Sequence, residues 1–177
     1  MRSWFNDILR VLAVLLIGVL VTSTGCSPGN HEGFAVYLTK DDVPPARMPA
    51  LSHIDITEKP LIGINDVITY NAQTHEMKLT AGAFERISSL EVPVTGKSFV
   101  VCVDGKPIYY GAFWTPISSL SYDGVLIWKT LDSLEPGVVR FGLGYPSPSF
   151  YRGEDPRNNA EVMRSLEQAG KLLPRGG

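Results

Sequence analysis

The chain has 177 residues, of which 44% are hydrophobic and 19% charged, a composition typical of globular proteins. Its 16 basic and 18 acidic side chains leave a net charge of −2, and no basic patch or long run of like charge is present. This balance argues against a nucleic-acid partner.

The first 25 residues have the pattern of an export signal. Arg2 and Arg10 flank a short n-region, and the eleven residues from 11 to 21 are apolar and uncharged. Eleven residues fit the core of a secretory signal, whereas a helix that crosses a hydrocarbon core of about 30 Å needs about 20. We therefore predict a signal segment over residues 1–25 in preference to a permanent membrane span.

This segment ends in Gly25-Cys26, which resembles the cleavage box of bacterial lipoproteins, with Ser23 where that family usually has an aliphatic residue. In that family the cysteine is lipidated and becomes the first residue of the mature protein. The resemblance implies lipidation at Cys26 and a domain that lies outside the cytoplasm, anchored to the bacterial membrane by its lipid. An ordinary cleaved signal, an uncleaved anchor and a plain thiol in a linker remain alternatives.

Removal of residues 1–25 leaves 152 residues, a normal size for one domain. The turn-rich residues 26–33 read as a tether, and residues 34–177 as a single α+β domain. Seven flexible residues span only about 15 Å as a random coil, so a lipidated domain would lie close to its membrane.

The domain begins with a predicted strand, Phe34–Leu38. Three prolines within residues 43–49 then exclude a helix interior and a central strand, which leaves a rigid connector or, alternatively, an extended arm that binds a partner. His53–Thr57 alternates polar and apolar residues, a pattern that predicts a half-buried strand.

Residues 65–70 and 75–80 are predicted to form the two short strands of a hairpin that has one solvent-exposed face. Thr80 is a suitable N-cap for a helix that we expect to continue through Leu90, because apolar residues recur there at i, i+4 and i+7.

The apolar run Phe99–Val103 predicts a central strand covered on both faces. Asp104-Gly105 follows this run directly, and a second strand is predicted over residues 108–114. An Asp-Gly step between two such runs is a strong hairpin signal. We expect Cys102 to be a buried structural residue, since its flanks offer neither charge nor access to water.

Residues 118–124 read as a turn that includes Asp123-Gly124, followed by strands over 125–128 and 138–143. Residues 144–156 lack any periodicity and form the longest predicted loop. Asn158 resembles an N-cap, and the amphipathic helix that follows should dock on the sheet.

The region from about residue 54 to residue 127 resembles the periplasmic head subdomain of the SecD protein-export subunit. The likeness begins with the acidic-aliphatic pair Asp66-Val67 of a strand and with Leu79-Thr80 before the helix around Phe84. It continues with the apolar strand that ends in Asp-Gly-Lys, Val101 to Lys106, and with Pro116-Ile117. It covers under half of the chain, which lacks the membrane spans of SecD. The resemblance implies a ferredoxin-like sandwich with an antiparallel or mixed sheet and helices on one face.

Motifs for catalysis are missing from the sequence, including phosphate loops, nucleophile elbows and paired-cysteine zinc spacings. The histidines at 31, 53 and 75 are scattered, so we predict no metal site and no cofactor. An acid/base pair could come only from turn or loop carboxylates, namely Asp104, Asp123, Glu154 and Asp155.

Aromatic residues are concentrated between residues 109 and 128. Because strand residues alternate, Tyr109 and Phe113 should share one face, and Tyr110 and Trp114 the other. One face should build the core, and the other should pack beneath the 144–156 loop or form an exposed platform for a sugar, a peptide or a protein. The candidate ligand-binding residues are Tyr110, Trp114, Tyr145, Tyr151 and Arg152.

The first functional hypothesis is therefore a membrane-tethered, non-enzymatic binding or interaction domain of the bacterial cell envelope. A small envelope hydrolase that uses carboxylates near residues 144–156 is the alternative from another class. An accessory role in protein export is a third hypothesis, implied by the SecD resemblance alone.

Overall fold

A computed structural model of the protein describes residues 32–129 and 135–174, all of which belong to one compact unit, His31–Gly177. The predicted signal at residues 1–25, the predicted lipidation site Cys26 and the tether up to His31 lie outside the described residues. They remain predictions.

The described residues form eight β-strands and two α-helices. The strands are β1 (Phe34–Leu38), β2 (Ile62–Gly63), β3 (Val67–Asn71), β4 (Glu76–Leu79), β5 (Lys97–Val103), β6 (Lys106–Trp114), β7 (Tyr122–Trp128) and β8 (Val138–Tyr145). The helices are α1 (Ala81–Ser88) and α2 (Ala160–Gln168).

All eight strands join one sheet in the order β2-β1-β5-β6-β7-β8-β4-β3. Neighbouring strands are antiparallel, except that β6 and β7 run parallel. Residues 115–121 make the connection between these two strands, although parallel neighbours usually need about a dozen residues. The predicted α+β class with a mixed sheet is confirmed, whereas the ferredoxin-like arrangement remains a prediction.

Both helices pack on the same face of the sheet, called here the helix face. Thr80 caps α1 and Asn159 caps α2, each by accepting backbone N–H bonds on its side-chain oxygen. Ile87 of α1 and Leu166 of α2 enter one hydrophobic core with the inward side chains of the strands. The expected docking is thus confirmed, with the second cap one residue later than the predicted Asn158.

The sheet curls around this core. Phe99 of β5 and Phe141 of β8 meet edge to face with ring centroids 6.1 Å apart, although two strands lie between them. In a flat sheet three strand spacings would separate their backbones by roughly 14 Å. Curling therefore brings the helix-face side chains of distant strands into contact.

The opposite, outer face of the sheet is also covered. Val100 and Cys102 of β5 are fully buried there, and Met48 of the proline-rich segment (residues 43–49) and Ile54 beyond it pack against their cluster. Burial raises the pKa of the Cys102 thiol to about 12. The prediction of a central strand with a buried structural cysteine is confirmed.

The predicted hairpin at Asp104-Gly105 is confirmed, with a two-residue turn because β6 begins at Lys106 and not at residue 108. Asp104 and Gly105 both have positive φ, 50° and 75°, which suits the tight turn that matches strand twist. Asp104 also fixes the start of the described chain, because its side chain accepts the Gly33 N–H at 2.9 Å and its own N–H donates to the Gly33 carbonyl at 3.0 Å.

Two predicted elements are wrong. Residues 53–57 form no strand, since only Ile56 makes a bridge, to Thr39, and a 3-10 turn ends at His53. Asp123-Gly124 is not a turn but part of β7, where pairing with β8 overrides local turn chemistry and the register shifts between Tyr122 and Val125. The helix predicted to reach Leu90 ends at Ser88.

Candidate ligand-binding groove

A cluster of aromatic side chains lies on the outer face of β6, β7 and β8. The alternation along β6 places Trp114 there, where its ring stacks on Tyr122 with centroids 5.0 Å apart and an interplanar angle of 13°. Tyr145 contacts Trp114 at 6.0 Å and Trp128 at 5.5 Å. The predicted division of β6 between two faces is confirmed, because Tyr109 and Phe113 belong to the helix-face core.

Trp114 is not an exposed platform. Only 2% of the residue is accessible, and Tyr122 covers one side of the ring. On another side, a Cβ added to Gly96 would lie 2.5 Å from Trp114 Cε3 and 3.1 Å from Pro45 Cγ, so backbone and proline approach the ring closely. Of the two alternatives for this face, packing is the one that the structure has.

The remaining predicted site residues do not converge on one site. Tyr145 joins the Trp114 cluster, and its hydroxyl donates to the Ser118 carbonyl at 2.9 Å. Tyr110 is half-buried in the neighbouring Cys102 cluster. Tyr151 packs against the helix-face core, and Arg152 is exposed, with its backbone N–H bonded to the Asp123 carbonyl.

A groove of about 470 Å³ opens beside the Trp114–Tyr122 stack. One wall is the 3-10 turn Pro45–Arg47 with Pro44 before it, and the other is the end of the 115–121 connection with the first residues of β7. The lining residues are Pro44, Pro45, Ala46, Arg47, Thr95, Trp114, Leu120, Ser121, Tyr122 and Asp123. Its volume is within the range of small-ligand and peptide sites.

Two buried polar atoms in the lining residues have no hydrogen-bond partner: Trp114 Nε1 and the Tyr122 hydroxyl. Native proteins pair the large majority of such atoms, and an unpaired one costs about 1–3 kcal/mol. Burial also raises the pKa of Tyr122 above its ordinary value, which keeps the hydroxyl protonated. A protonated hydroxyl and an indole N–H are both hydrogen-bond donors, and both atoms are inaccessible to solvent.

Two charged side chains line the same groove. Arg47 and Asp123 are both exposed, and within the described ranges neither side chain makes an ion pair or a hydrogen bond. The groove thus combines one cation, one anion, the polar residues Thr95 and Ser121, and apolar walls.

No family model, curated protein or solved structure matches this chain. Its chemistry must therefore be read from its own side chains.

The carboxylates of the 144–156 loop have other roles than an acid/base pair. Asp155 holds the Arg157 guanidinium through two bonds, at 2.9 Å and 2.7 Å, and this interaction lowers the pKa of the carboxyl. Arg157 also donates to the Phe141 carbonyl at 2.7 Å, which ties the loop to β8. Glu154 is exposed, and its backbone carbonyl accepts the Tyr151 hydroxyl.

His75 belongs to a buried polar contact on the other side of that loop. Its Nδ1 lies 3.1 Å from the Tyr70 hydroxyl, which also reaches the Arg157 carbonyl at 3.3 Å. Burial, with a contribution from the Arg157 charge, lowers the pKa of His75. Across residues 32–129 and 135–174, no three His, Cys, Asp or Glu side chains are grouped as metal ligands would be.

Sequence reasoning missed most of the groove. The sequence pattern places Tyr122 in a turn, and it does not distinguish Arg47 or Leu120 from their neighbours. The three prolines around Arg47 were the available signal, because they favour an extended arm that stands against the sheet.

The described part of the chain contains no helix long and apolar enough to cross a bilayer.

Proposed function

We propose that the protein is a membrane-tethered, extracytoplasmic binding domain of the bacterial cell envelope, without enzymatic activity. The observation that carries this proposal is the placement of Gly33 at one end of the β5–β6 hairpin and of exposed apolar side chains at the other.

The tether would enter the domain at the Asp104-Gly105 turn. Gly33 forms two hydrogen bonds with Asp104 and comes seven residues after Cys26. If Cys26 carries lipid, this turn faces the membrane at a distance of about 15 Å. The nine residues of β6 then extend roughly 27 Å away from the turn.

The far end of the hairpin carries a patch that we call the distal rim, defined by Val94, Ile117 and Leu120. Ile117 is 79% accessible, and the other two residues are about half accessible. The Ser118 hydroxyl donates to the Val94 carbonyl at 2.6 Å, which holds the two loops of the rim together. Large apolar side chains grouped in this way are typical of surfaces that contact a partner.

The intact mass of the protein purified from bacterial membranes tests the anchor. The expected result is a chain that begins at a diacylglyceryl-modified Cys26. A chain that retains Met1, or starts elsewhere with a free thiol, would remove the lipid anchor from the proposal.

A photo-reactive amino acid at position 117 in living cells tests the rim, with the same group at exposed Lys78 of β4 as the matched control. We expect a discrete protein adduct from position 117 and none from position 78. Equal labelling at both positions, or none at either, would contradict a partner at this end of the domain.

The ferredoxin-like sandwich and an accessory role in export stay secondary proposals. What supports them is the pair of helices on one face of a mixed sheet, together with the Asp104-Gly105-Lys106 turn. Co-purification of the translocation machinery with the full chain, lost on replacement of Ile117 by aspartate, would test the export role. The hydrolase alternative has less support, because Asp155 is engaged by Arg157.

A further inference from the structure

We propose that residues 171–174, called here the edge segment, are a removable cover over a sheet edge that otherwise pairs with a second copy of the chain. The edge is that of β3, which stands last in the strand order of the sheet. This inference depends neither on the lipid anchor nor on the distal rim.

The edge segment is bonded to β3 as a short additional strand. The Tyr70 N–H donates to the Lys171 carbonyl at 2.7 Å, and the Leu173 N–H donates to the Tyr70 carbonyl at 2.9 Å. The two stretches run parallel, with Leu172 opposite Tyr70. Tyr70 therefore directs both of its backbone groups away from β4, toward the position that a further strand takes in a larger sheet.

β3 is suited to pairing with another copy of itself. Its five residues, Val67–Asn71, carry no charge, and four of them are β-branched or aromatic. Ile68 in this strand is 44% accessible. Two copies of one strand can pair around a twofold axis, because each copy offers the groups that the other needs. Uncharged edge strands of this composition are typical sites of association between chains.

The two edges of the sheet are protected in different ways. β2, at the other edge, has only two residues, and so short a strand gives a second chain little to pair with. β3 is longer, and the edge segment ends the sheet there. Lys171 places a charge beside the edge, and Pro174 has no N–H to donate. The segment thus occupies the place of a partner strand and is itself a poor template for the next chain.

Few contacts hold the edge segment against β3. Gly170, with φ of 67°, links it to α2, and no described atom lies within 4 Å of the position of a Cβ at this glycine. Leu172 is half-buried against the helix-face core, whereas Leu173 is 40% accessible. A cavity of about 490 Å³ lies beside the segment and is lined by Ala72, Met163, Glu167, Leu172, Leu173 and Pro174. Loss of the Leu172 contact should therefore release the segment from β3.

The connection to α2 gives the edge segment an advantage over a second copy. A segment joined by a short link competes for its site at an effective concentration of about 1 mM. The unsubstituted chain should therefore be monomeric at micromolar concentrations. Release of the segment removes this advantage and leaves the Tyr70 backbone groups to a second β3.

Sedimentation equilibrium of the full chain in detergent at about 50 µM, well below that effective concentration, tests the proposal. The releasing substitution is Leu172→Asp, which places a charge against the apolar core. Leu173→Asp is the matched control, because it makes the same change at the neighbouring exposed residue and retains both hydrogen bonds to Tyr70. We expect a dimer for Leu172→Asp, and a monomer for Leu173→Asp and for the unsubstituted chain.

A second substitution shows whether the dimer uses β3. Ile68→Lys should return the Leu172→Asp chain to a monomer, since two paired copies of β3 would bring like charges together. Hydrogen exchange at the Tyr70 amide reports on the cover itself, and Tyr70→Phe identifies its signal in the ¹⁵N-tyrosine-labelled chain. Exchange should be about tenfold faster in the Ile68→Lys/Leu172→Asp double variant than in Ile68→Lys alone, because the bond to Lys171 is lost.

Three results would overturn the proposal: a monomeric Leu172→Asp chain, a dimer that persists after Ile68→Lys, or equal Tyr70 exchange in the two variants compared. Should Leu172→Asp lose cooperative unfolding, Leu173→Pro replaces it, because proline removes only the N–H of an exposed residue that donates to Tyr70. That variant should then form the dimer that Ile68→Lys disrupts, and a monomer in its place would refute the cover.

Discussion

Replacement of Gly111 by alanine is expected to destabilise the sheet where β6 and β7 run parallel. Gly111 lies on the helix face of β6, beside Val125 of β7. A Cβ at this position would come within 2.9 Å of Phe99 Cε2 and closer still to the Val125 carbonyl oxygen. The phenylalanine ring can rotate, but the carbonyl belongs to the neighbouring strand, so the strands must separate.

The magnitude follows from these two clashes. Added atoms in a packed core typically cost about 1–3 kcal/mol. Rotation of Phe99 also disturbs its edge contacts with Phe113 at 5.3 Å and Phe141 at 6.1 Å, which contribute about 0.5–1.5 kcal/mol each. We therefore expect a loss of roughly 3 kcal/mol in the free energy of unfolding, or about 6–12 °C in Tm for a domain of this size.

Urea and thermal unfolding followed by circular dichroism provide the measurement. Gly82→Ala is the matched control, because Gly82 lies within α1 and its added Cβ would meet only Arg86 Nη1, at 3.9 Å. The same chemical change should there gain about 0.5–1 kcal/mol from helix propensity. A Gly111→Ala protein as stable as the unsubstituted chain would refute the argument from close packing.

Three further outcomes are expected. The pKa of buried His75 is lowered, so the unfolded chain binds a proton at this residue more readily than the folded chain does. The free energy of unfolding should therefore fall as the pH drops below about 6.5, and it should fall less in the His75→Gln variant. Urea midpoints at about pH 7.5 and about pH 5.5, on either side of that value, measure the difference. Cys102, with a pKa of about 12, should resist maleimide in the folded protein and react in urea, and rapid labelling of the folded protein would contradict its burial. Asn159→Ala should lower the free energy of unfolding by about 1 kcal/mol in chemical denaturation, because it removes the cap of α2. Thr80→Ala should lower it by less, because the cap bond of α1 is longer. Equal losses in the two variants would contradict cap geometry as the cause.

Local sequence signals predicted the elements whose interactions are local. The Asp104-Gly105 turn requires positive φ at two adjacent residues, a requirement that can be read without knowledge of the rest of the chain. The cap at Thr80 is similarly local, and the apolar run around Cys102 identifies a strand that is buried on both faces.

Long-range pairing could not be read in the same way. Asp123-Gly124 has the composition of a turn, but Tyr122 pairs with Tyr145 of β8, and the strand accommodates both residues through a shift in register. The partnership of β6 with β7 is parallel and depends on a short connection whose path no local pattern specifies. Residues 53–57 alternate like a strand, yet no neighbouring strand is available beyond the bridge at Ile56.

The position of the groove follows from how the two faces of the sheet are covered. Regular helices cover the helix face, where Ile87 and Leu166 pack into the hydrophobic core. On the outer face, irregular segments take their place: Met48 and Ile54 pack over β1 and β5, and residues 115–121 lie beside Trp114 and Tyr145. The groove lies where these two coverings meet, and its lining residues come from both of them. Arg47 and Asp123 are exposed beside this groove, so substitutions there should leave the fold intact.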